Sequence, residues 1–428
     1  MNIVAICFIM MLLLFMLKLP IYIAMLIPSV FYFIAEDINI AIMVQRMVSG
    51  LESTSIVAIP FFMLSGALMN YTGITKRMIA FAEVVTGHMR GGLAQVNVLL
   101  STLMGGLSGS NIADCAMEAK ILVPDMLRQG YSNGFSTAVT AFSSLITPLI
   151  PPGLCLITYS VVANVSVGRM FAAGLPIGLL TCAMEMLFVD QISKKRGYKP
   201  IREKKASGKE ILTASKTAIF ALILPVVLIG GIRVGIFTAT EAGVVAVVYA
   251  LLIGVVVYHE LKFTHFKIAL SETVETTAMV MAIFAAANCF TYFVSNEGVA
   301  EMVSTQLFAW ITEPWQFFLI LNIVLLIAGM FMEGGALTIL LVPLCMGVVD
   351  RLGIDLIQFG CVFCLNVSIG TLTPPVGTVL YTTCQVTGCR IEEFFKEGWS
   401  FYVAMLILLV LVSVFPGIST FIPNLIYG

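Results

Sequence analysis

The sequence predicts an all-α polytopic membrane protein of about 12 transmembrane segments, built from two related halves that each carry a broken, re-entrant helical hairpin. Three observations predict it: a composition suited to lipid, apolar runs recurring along the whole chain, and one ordered set of glycines and prolines that occurs twice. Of the 428 residues, 59% are hydrophobic and only 11% charged, with a mean hydropathy of +1.02. A soluble domain carries roughly 25% charged residues, so lipid is the main solvent of this chain.

The apolar runs lie near residues 3–17, 20–35, 54–70, 93–107, 136–165, 170–190, 213–232, 241–258, 276–295, 315–332, 335–350, 356–388 and 399–425. Some are short enough to cross only half of a bilayer. The first lacks a basic leading region and a small-residue cleavage site, so it reads as a retained membrane segment rather than a signal peptide. Lys194, Lys195, Arg196, Lys199, Arg202, Lys204, Lys205 and Lys209 crowd one polar loop, which the positive-inside rule places in the cytoplasm. The expected organisation is an N-terminal scaffold at 1–50, a first repeat at 51–192, the basic loop at 193–212, connecting scaffold segments at 213–270 and a second repeat at 271–428.

Several functions are excluded at this stage. Net charge is −1, which argues against nucleic acid as a partner. Cys361 and Cys364 form a CxxC inside an apolar run, with no second pair or histidine nearby, and read as small packing residues. His88, His259 and His265 sit near segment ends. The absence of HExxH, GxSxG and Walker patterns leaves a hydrolase or an ATP-driven pump without support, and no cofactor is expected.

The repeat is explicit. Arg128 to Gly153 (RQGYSNGFSTAVTAFSSLITPLIPPG) aligns without a gap on Arg351 to Val376 (RLGIDLIQFGCVFCLNVSIGTLTPPV) at an offset of 223. Arg128 pairs with Arg351, Gly130 with Gly353, and Pro151-Pro152 with Pro374-Pro375. Upstream, Ile121 to Pro124 pairs with Leu340 to Pro343 after a four-residue slip, about one helical turn. Gly105-Gly106 and Ser108 to Ser110 correspond to Gly329 and to Glu333 to Gly335. Matched Gly/Pro breaks in two halves of a membrane protein point to a transporter site, and inversion is the common arrangement for such halves.

These breaks suit ion chemistry. In hydrocarbon, irregular backbone survives only around a protein-lined or watery cavity. Proline removes the donor for the carbonyl four residues back, so Pro151 frees Thr147, Pro152 frees Pro148, Pro374 frees Gly370 and Pro375 frees Thr371. Neutral carbonyl and hydroxyl oxygens suit a monovalent cation such as Na⁺, whereas a divalent ion calls for carboxylates. Beyond each break, the start of a new helix favours an anionic group. Ionisable residues inside apolar segments are costly and point to function. Asp114 and Glu118, four apart, share a face if helical. Asp114 either bounds the substrate cavity, carries a coupling proton, pairs with Lys120 or caps a helix. Glu241, after Thr238, reads as a helix cap.

GGLSGSNIAD (Gly105 to Asp114), ITPLIPPG (Ile146 to Gly153), GMFMEGG (Gly329 to Gly335) and IGTLTPPVG (Ile369 to Gly377) resemble the large membrane subunit of TRAP transporters, the DctM/SiaM type, over nearly the whole chain. The resemblance implies a Na⁺-coupled importer of organic anions such as C4-dicarboxylates or sugar acids in the bacterial inner membrane. It also implies an elevator of transport domain against scaffold, a separate small four-helix subunit and a periplasmic substrate-binding protein. By resemblance, a first sodium site falls on Ser108, Ser110, Asn111, Thr147, Ile150 and Pro152, and a second on Gly329, Gly370, Thr373 and Val376. The substrate region falls on Asp114, Glu333, Pro151, Pro374 and Pro375. Thr147 stands where the family is expected to carry glycine, a change that a backbone carbonyl ligand survives. The alternative is a standalone ion-coupled organic anion symporter that needs no binding protein.

Overall fold

A chain surrounded by hydrocarbon must satisfy its backbone within each segment, and among the described residues every regular element is helical. The structure is a computed structural model that describes residues 3–17, 19–52, 56–302, 311–332, 334–374 and 377–428. The chain starts with α1 (Ile3–Met16), α2 (Ile21–Ala35), α3 (Ile40–Ser49), α4 (Ala58–Met69) and α5 (Ile74–Thr86). It continues through α6 (Gly92–Gly105), α7 (Asn111–Arg128), α8 (Asn133–Ser143), a 3₁₀ turn (Ser144–Ile146), α9 (Leu154–Val162) and α10 (Val167–Arg196). Next come α11 (Gly208–Val234), α12 (Ala239–Leu252), α13 (Phe263–Asn296) and the single turn α14 (Val299–Met302). The last part holds α15 (Pro314–Gly329), α16 (Gly334–Leu352), α17 (Leu356–Gly370), α18 (Thr378–Thr387), α19 (Ile391–Val414) and α20 (Gly417–Tyr427).

Helix ends follow local chemistry. Ser207 and Glu210 form a capping box at the start of α11, and Thr238 and Glu241 form another at α12, the role read for Glu241 from sequence. Lys194, Lys195 and Arg196 belong to the last turn of α10, where positive charge opposes the helix dipole. The basic loop is therefore shorter than the 193–212 expected, because both of its ends are helical.

Among the described residues, six helical stretches are long and apolar enough to cross a bilayer: α10, α11, Ala239–Val257, α13, α16 and α19. The others are shorter. α6, α8, α15 and α17 have 14, 11, 16 and 15 residues, rising about 16–24 Å against a hydrocarbon core of about 30 Å. Among the described residues, the anticipated dozen spans are thus met by six long apolar helices and by shorter apolar ones, of which α6, α8, α15 and α17 end at the breaks.

Packing divides the helices into two groups. In one, α2 packs on α1 and α13, α12 on α4, α5 on α11 and α13 on α3 and α4. In the other, α8 packs on α19 and α6, α17 on α15 and α19, and α10 on α20 and α6. Two short helices cross between the aligned stretches, α18 packing on α7 and α9 on α16. The groups meet where α13 touches α16, α4 touches α9 and α5 touches α6. Although 51–192 was expected to form one repeat, its α4 and α5 pack with α12 and α11.

Candidate ion and substrate site at two helix breaks

The first break consists of two interruptions brought together. One is the turn between α6 and α7, the other the irregular stretch between the 3₁₀ turn and α9. Gly109 sits in the first with φ +62, and a methyl group there would lie 2.5 Å from the Pro152 carbonyl oxygen. Only glycine permits both the dihedral and the approach. Asp114, in the first turn of α7 and 1% exposed, ties the two together. Ser108 Oγ donates to its Oδ1 at 2.6 Å and Thr147 Oγ1 to its Oδ2 at 2.8 Å. Lys120 is exposed, so Asp114 answers to hydroxyls. Ser110 caps α7, its hydroxyl accepting from the Ala113 amide. The Thr147 and Pro148 carbonyls, freed on the proline count, meet no donor among the described residues.

The second break is held by backbone. Gly329, ending α15, lies against Gly370, ending α17. A methyl at Gly329 would sit 2.9 Å from Gly370 Cα, and one at Gly370 2.7 Å from Gly329 Cα. The proline count needs correcting here. The Gly370 carbonyl accepts the Thr373 amide at 2.9 Å, and the Thr371 carbonyl accepts the Val379 and Leu380 amides at 3.1 and 3.3 Å. The chain tightens into a turn one residue shorter, and the first amides of α18 fold back on the break. Each oxygen keeps a second lone pair, so neither is lost as an ion ligand. Tyr402 Oη donates to the Leu372 carbonyl, and Thr373 Oγ1 to the Ile369 carbonyl at 3.2 Å.

The two breaks touch, Asn111 Nδ2 donating to Thr371 Oγ1 at 3.3 Å. Beside this bridge lies a cavity of about 250 Å³. Residues from the first turns of three helices line it: Asn111 to Ala113 of α7, Leu154 and Cys155 of α9, and Gly334 to Ala336 of α16. The opposite wall comes from α4 and α13, with Asn70, Glu272, Thr273 and Thr276. Three helix N-termini around one cavity present amides and dipoles that favour an anion.

Of the residues anticipated for the first sodium site, Ser108, Ser110 and Asn111 line the cavity. Thr147, Ile150 and Pro152 are buried behind it. Of the second, Gly329, Gly370 and Thr373 form the tight turn, and Val376 lies outside the described residues. Asp114, Pro151 and Pro374, assigned to the substrate region, stand back from the cavity wall. Glu333 and Pro375 also lie outside the described residues. Sequence reasoning missed the α4 and α13 wall, since Glu272 stands at the polar edge of an apolar run. It also missed Glu185, fully buried in α10, which the cost of an intramembrane charge would have flagged.

Comparison with known proteins gives one answer. Residues 8–418 match the family described as tripartite ATP-independent periplasmic transporter, DctM component. The chain is 38% identical over 398 residues to the sialic acid TRAP transporter large permease protein SiaM of Vibrio cholerae, covering 93% of each. It is 36% identical over 388 residues to the 2,3-diketo-L-gulonate TRAP transporter large permease protein YiaN of Escherichia coli, covering 91% of this chain and 89% of the relative. It is 35% identical over 377 residues to the C4-dicarboxylate TRAP transporter large permease protein DctM of Pseudomonas aeruginosa, covering 87% of each. Among solved structures, the YdaH transporter of Alcanivorax borkumensis shares the fold, with a TM-score of 0.58 at 13% identity over 88% of this chain and 87% of that one. The chain is a polytopic membrane protein that belongs to the DctM component family, the large permease subunits of TRAP transporters.

Proposed function

We propose that this chain is the large permease subunit of a Na⁺-coupled importer of an organic anion, acting in the bacterial inner membrane. The observation that carries the reading is the cavity beside the two touching breaks, lined by the first turns of α7, α9 and α16. The three relatives' names differ in substrate, but each is an acid, which suits such a cavity. Na⁺ sits at the oxygens of the breaks, with Ser108, Ser110, Asn111, Thr147, Ile150 and Pro152 at the first and Gly329, Gly370, Thr373 and Val376 at the second. The carboxylate of the substrate faces the helix starts.

The two halves are inverted repeats. In support, the aligned stretches exchange their short helices, α18 packing on α7 and α9 on α16, as halves related by a two-fold axis would. The hairpin-bearing group moves as the transport domain of an elevator against the group of α1–α5 and α11–α13, and the cavity lies at the boundary between them. A small four-helix subunit joins as a separate chain, and a periplasmic binding protein delivers the substrate.

Mechanistically, Na⁺ orders the two breaks and the ordered helix starts then receive the anion. Coupling requires that Na⁺ raise substrate affinity and substrate raise Na⁺ affinity by the same factor. The test is uptake of labelled organic acids into proteoliposomes holding this chain and the small subunit, with and without the binding protein and a Na⁺ gradient. Uptake that needs every component is expected. Uptake by this chain alone would replace the reading with a standalone symporter, and flux indifferent to the gradient would replace it with a channel.

A further inference from the structure

Behind the first break lies a group of carboxyls that the ion and anion chemistry leaves unused. Glu118, one turn beyond Asp114 on α7, and Glu185, midway along α10, are both completely buried. Ser101 Oγ of α6 donates to Glu118 Oε2 at 2.7 Å. Glu118 Oε1 and both oxygens of Glu185 meet no hydrogen-bond partner among the described residues. The two acids flank the same polar stretch of α6, and Glu118 lies within Coulombic range of both Asp114 and Glu185. Gln95, on that stretch, donates Nε2 to the carbonyl of Met186 at 2.9 Å, and its own amide oxygen also lacks a donor.

Among the described residues of the helices packed around them, no base offsets these acids. α6, α8, α9, α17, α18 and α20, which pack around α7 and α10, contain no Asp, Glu, Lys, Arg or His. On α7 itself Lys120 is exposed and Arg128 pairs with Asp125. On α10, Arg169 bonds the Gly428 carbonyl, Asp190 is half-buried, and Lys194, Lys195 and Arg196 lie at its exposed end. The charged groups of α11 are all exposed. Those of α19 stand in its first two turns, where Glu393 pairs with Arg390 and Glu397 with Arg196, and Glu392 and Lys396 are exposed. The thiols and phenols on these helices add no positive charge.

An ionised carboxylate buried without partner or countercharge is several kcal/mol out of balance, and neighbouring buried acids cannot all ionise. Asp114, with a hydroxyl on each oxygen, is the member best fitted to carry the charge. The three carboxyl oxygens left without a donor among the described residues are completed by the smallest cation, a proton, which needs two oxygens rather than a full coordination shell. We propose that Glu118 and Glu185 form a buried proton-binding site inside the hairpin body, holding at least one proton between them at neutral pH.

The test is infrared spectroscopy of the full-length chain in lipid nanodiscs at neutral pH, where surface carboxyls are ionised. The C=O stretch of protonated carboxyls is identified by its shift on H₂O/D₂O exchange. Wild type is expected to show this stretch, Glu185→Gln to lose part or all of it, and the Glu118→Gln/Glu185→Gln double variant to lose it entirely. Asp114→Asn should leave it unchanged. Absence of the stretch in wild type, or its full survival in the double variant, would overturn the proposal. Glutamine copies the neutral carboxyl in shape. Should a variant still fail to fold, titration of wild type decides, because a proton held at the surface would leave well below neutral pH.

Discussion

The two breaks hold the same place in their halves but are built from different materials. At the first, side chains converge on a charge: Ser108 and Thr147 hydroxyls grip both oxygens of Asp114, and the Thr147 carbonyl stays without a donor. At the second, backbone meets backbone: Gly329 lies on Gly370, and the Thr373 amide turns back onto the Gly370 carbonyl. The offset of 223 that aligns the halves pairs Thr147 with Gly370. One side chain separates the two designs at this position. Where a threonine stands, the turn opens and acquires an anionic partner. Where glycine stands, the turn closes on itself. The proposed cations would therefore meet different fields, a buried carboxylate at the first break and neutral dipoles among the described residues of the second.

The asymmetry continues behind the breaks. With the four-residue slip, an offset of 219 pairs Glu118 with Leu337, and the offset of 223 pairs Glu185 with Leu408. Both leucines are buried. Glu118 and Glu185 thus belong to the first half, and the second half fills the two matching positions with hydrocarbon.

The sharpest way to break the comparison is to remove the charge. Asp114→Ala takes the carboxylate from two buried hydroxyls, leaving Thr147 Oγ1 only a long bond to the Ser101 carbonyl at 3.5 Å, and each lost bond to a charged group costs about 1.5–3 kcal/mol. The variant should lose Na⁺-dependent uptake and melt well below wild type, while Asp114→Asn recovers part of the melting temperature because one oxygen can still accept. If uptake and its Na⁺ dependence survive in Asp114→Ala, the first break does not depend on its carboxylate.

The second test exchanges the materials. Gly370→Thr forces a side chain where Gly329 Cα already crowds the first carbon, and overpacking of this kind costs about 1–3 kcal/mol. Thr147→Gly removes one hydrogen bond to Asp114 and lets the backbone fold more freely. We expect Gly370→Thr to shift the melting temperature further down than Thr147→Gly, with Na⁺ protection against heat retained only in the latter. Bound ligand stabilises the native state by mass action, so the Na⁺-induced shift in melting temperature reads each site. Equal shifts in the two variants would mean that the breaks tolerate either material.

Much of this was legible in the sequence, because hydrocarbon tolerates few irregularities. Glycines and prolines that would pass unnoticed in a soluble loop stand out at Gly105 to Ser110 and Pro151-Pro152, and their recurrence marks the second break. Other features depend on contacts that no local pattern encodes. The count of freed carbonyls holds at Thr147 and needs revision at Gly370, because proline dictates which donor is lost but not which neighbour replaces it. The cavity wall from α13 was hidden for a related reason, since Glu272 and Thr276 join the site only through packing against the hairpins. Gly109 was legible as a break, but its approach to Pro152 needed the fold.

A smaller effect is expected at Tyr402, which donates to the Leu372 carbonyl inside the second break. The offset of 223 places Leu179 at the matching position, and it is exposed, so the first break has no such tie. Tyr402→Phe removes one neutral hydrogen bond, worth about 0.5–1.5 kcal/mol. The half-saturating Na⁺ concentration for uptake should rise modestly without loss of maximal rate. A fall in maximal rate at unchanged Na⁺ dependence would assign Tyr402 to the movement rather than to the break.

The smallest effect tests whether the two breaks act as one. The bond from Asn111 Nδ2 to Thr371 Oγ1 is long, at 3.3 Å, and joins neutral groups, so its net worth lies at the low end of about 0.5–1.5 kcal/mol. Asn111→Ala, Thr371→Ala and the double variant form a cycle read through the Na⁺-induced shift in melting temperature. If the bridge links the sites, Thr371→Ala weakens the Na⁺ response slightly, Asn111→Ala weakens it more because it also removes a proposed ligand, and the double change weakens it by less than the sum. Strict additivity would make the breaks independent ion sites that merely touch. In that case cooperation between the halves would have to pass through the shared helix pairs, α7 with α18 and α9 with α16.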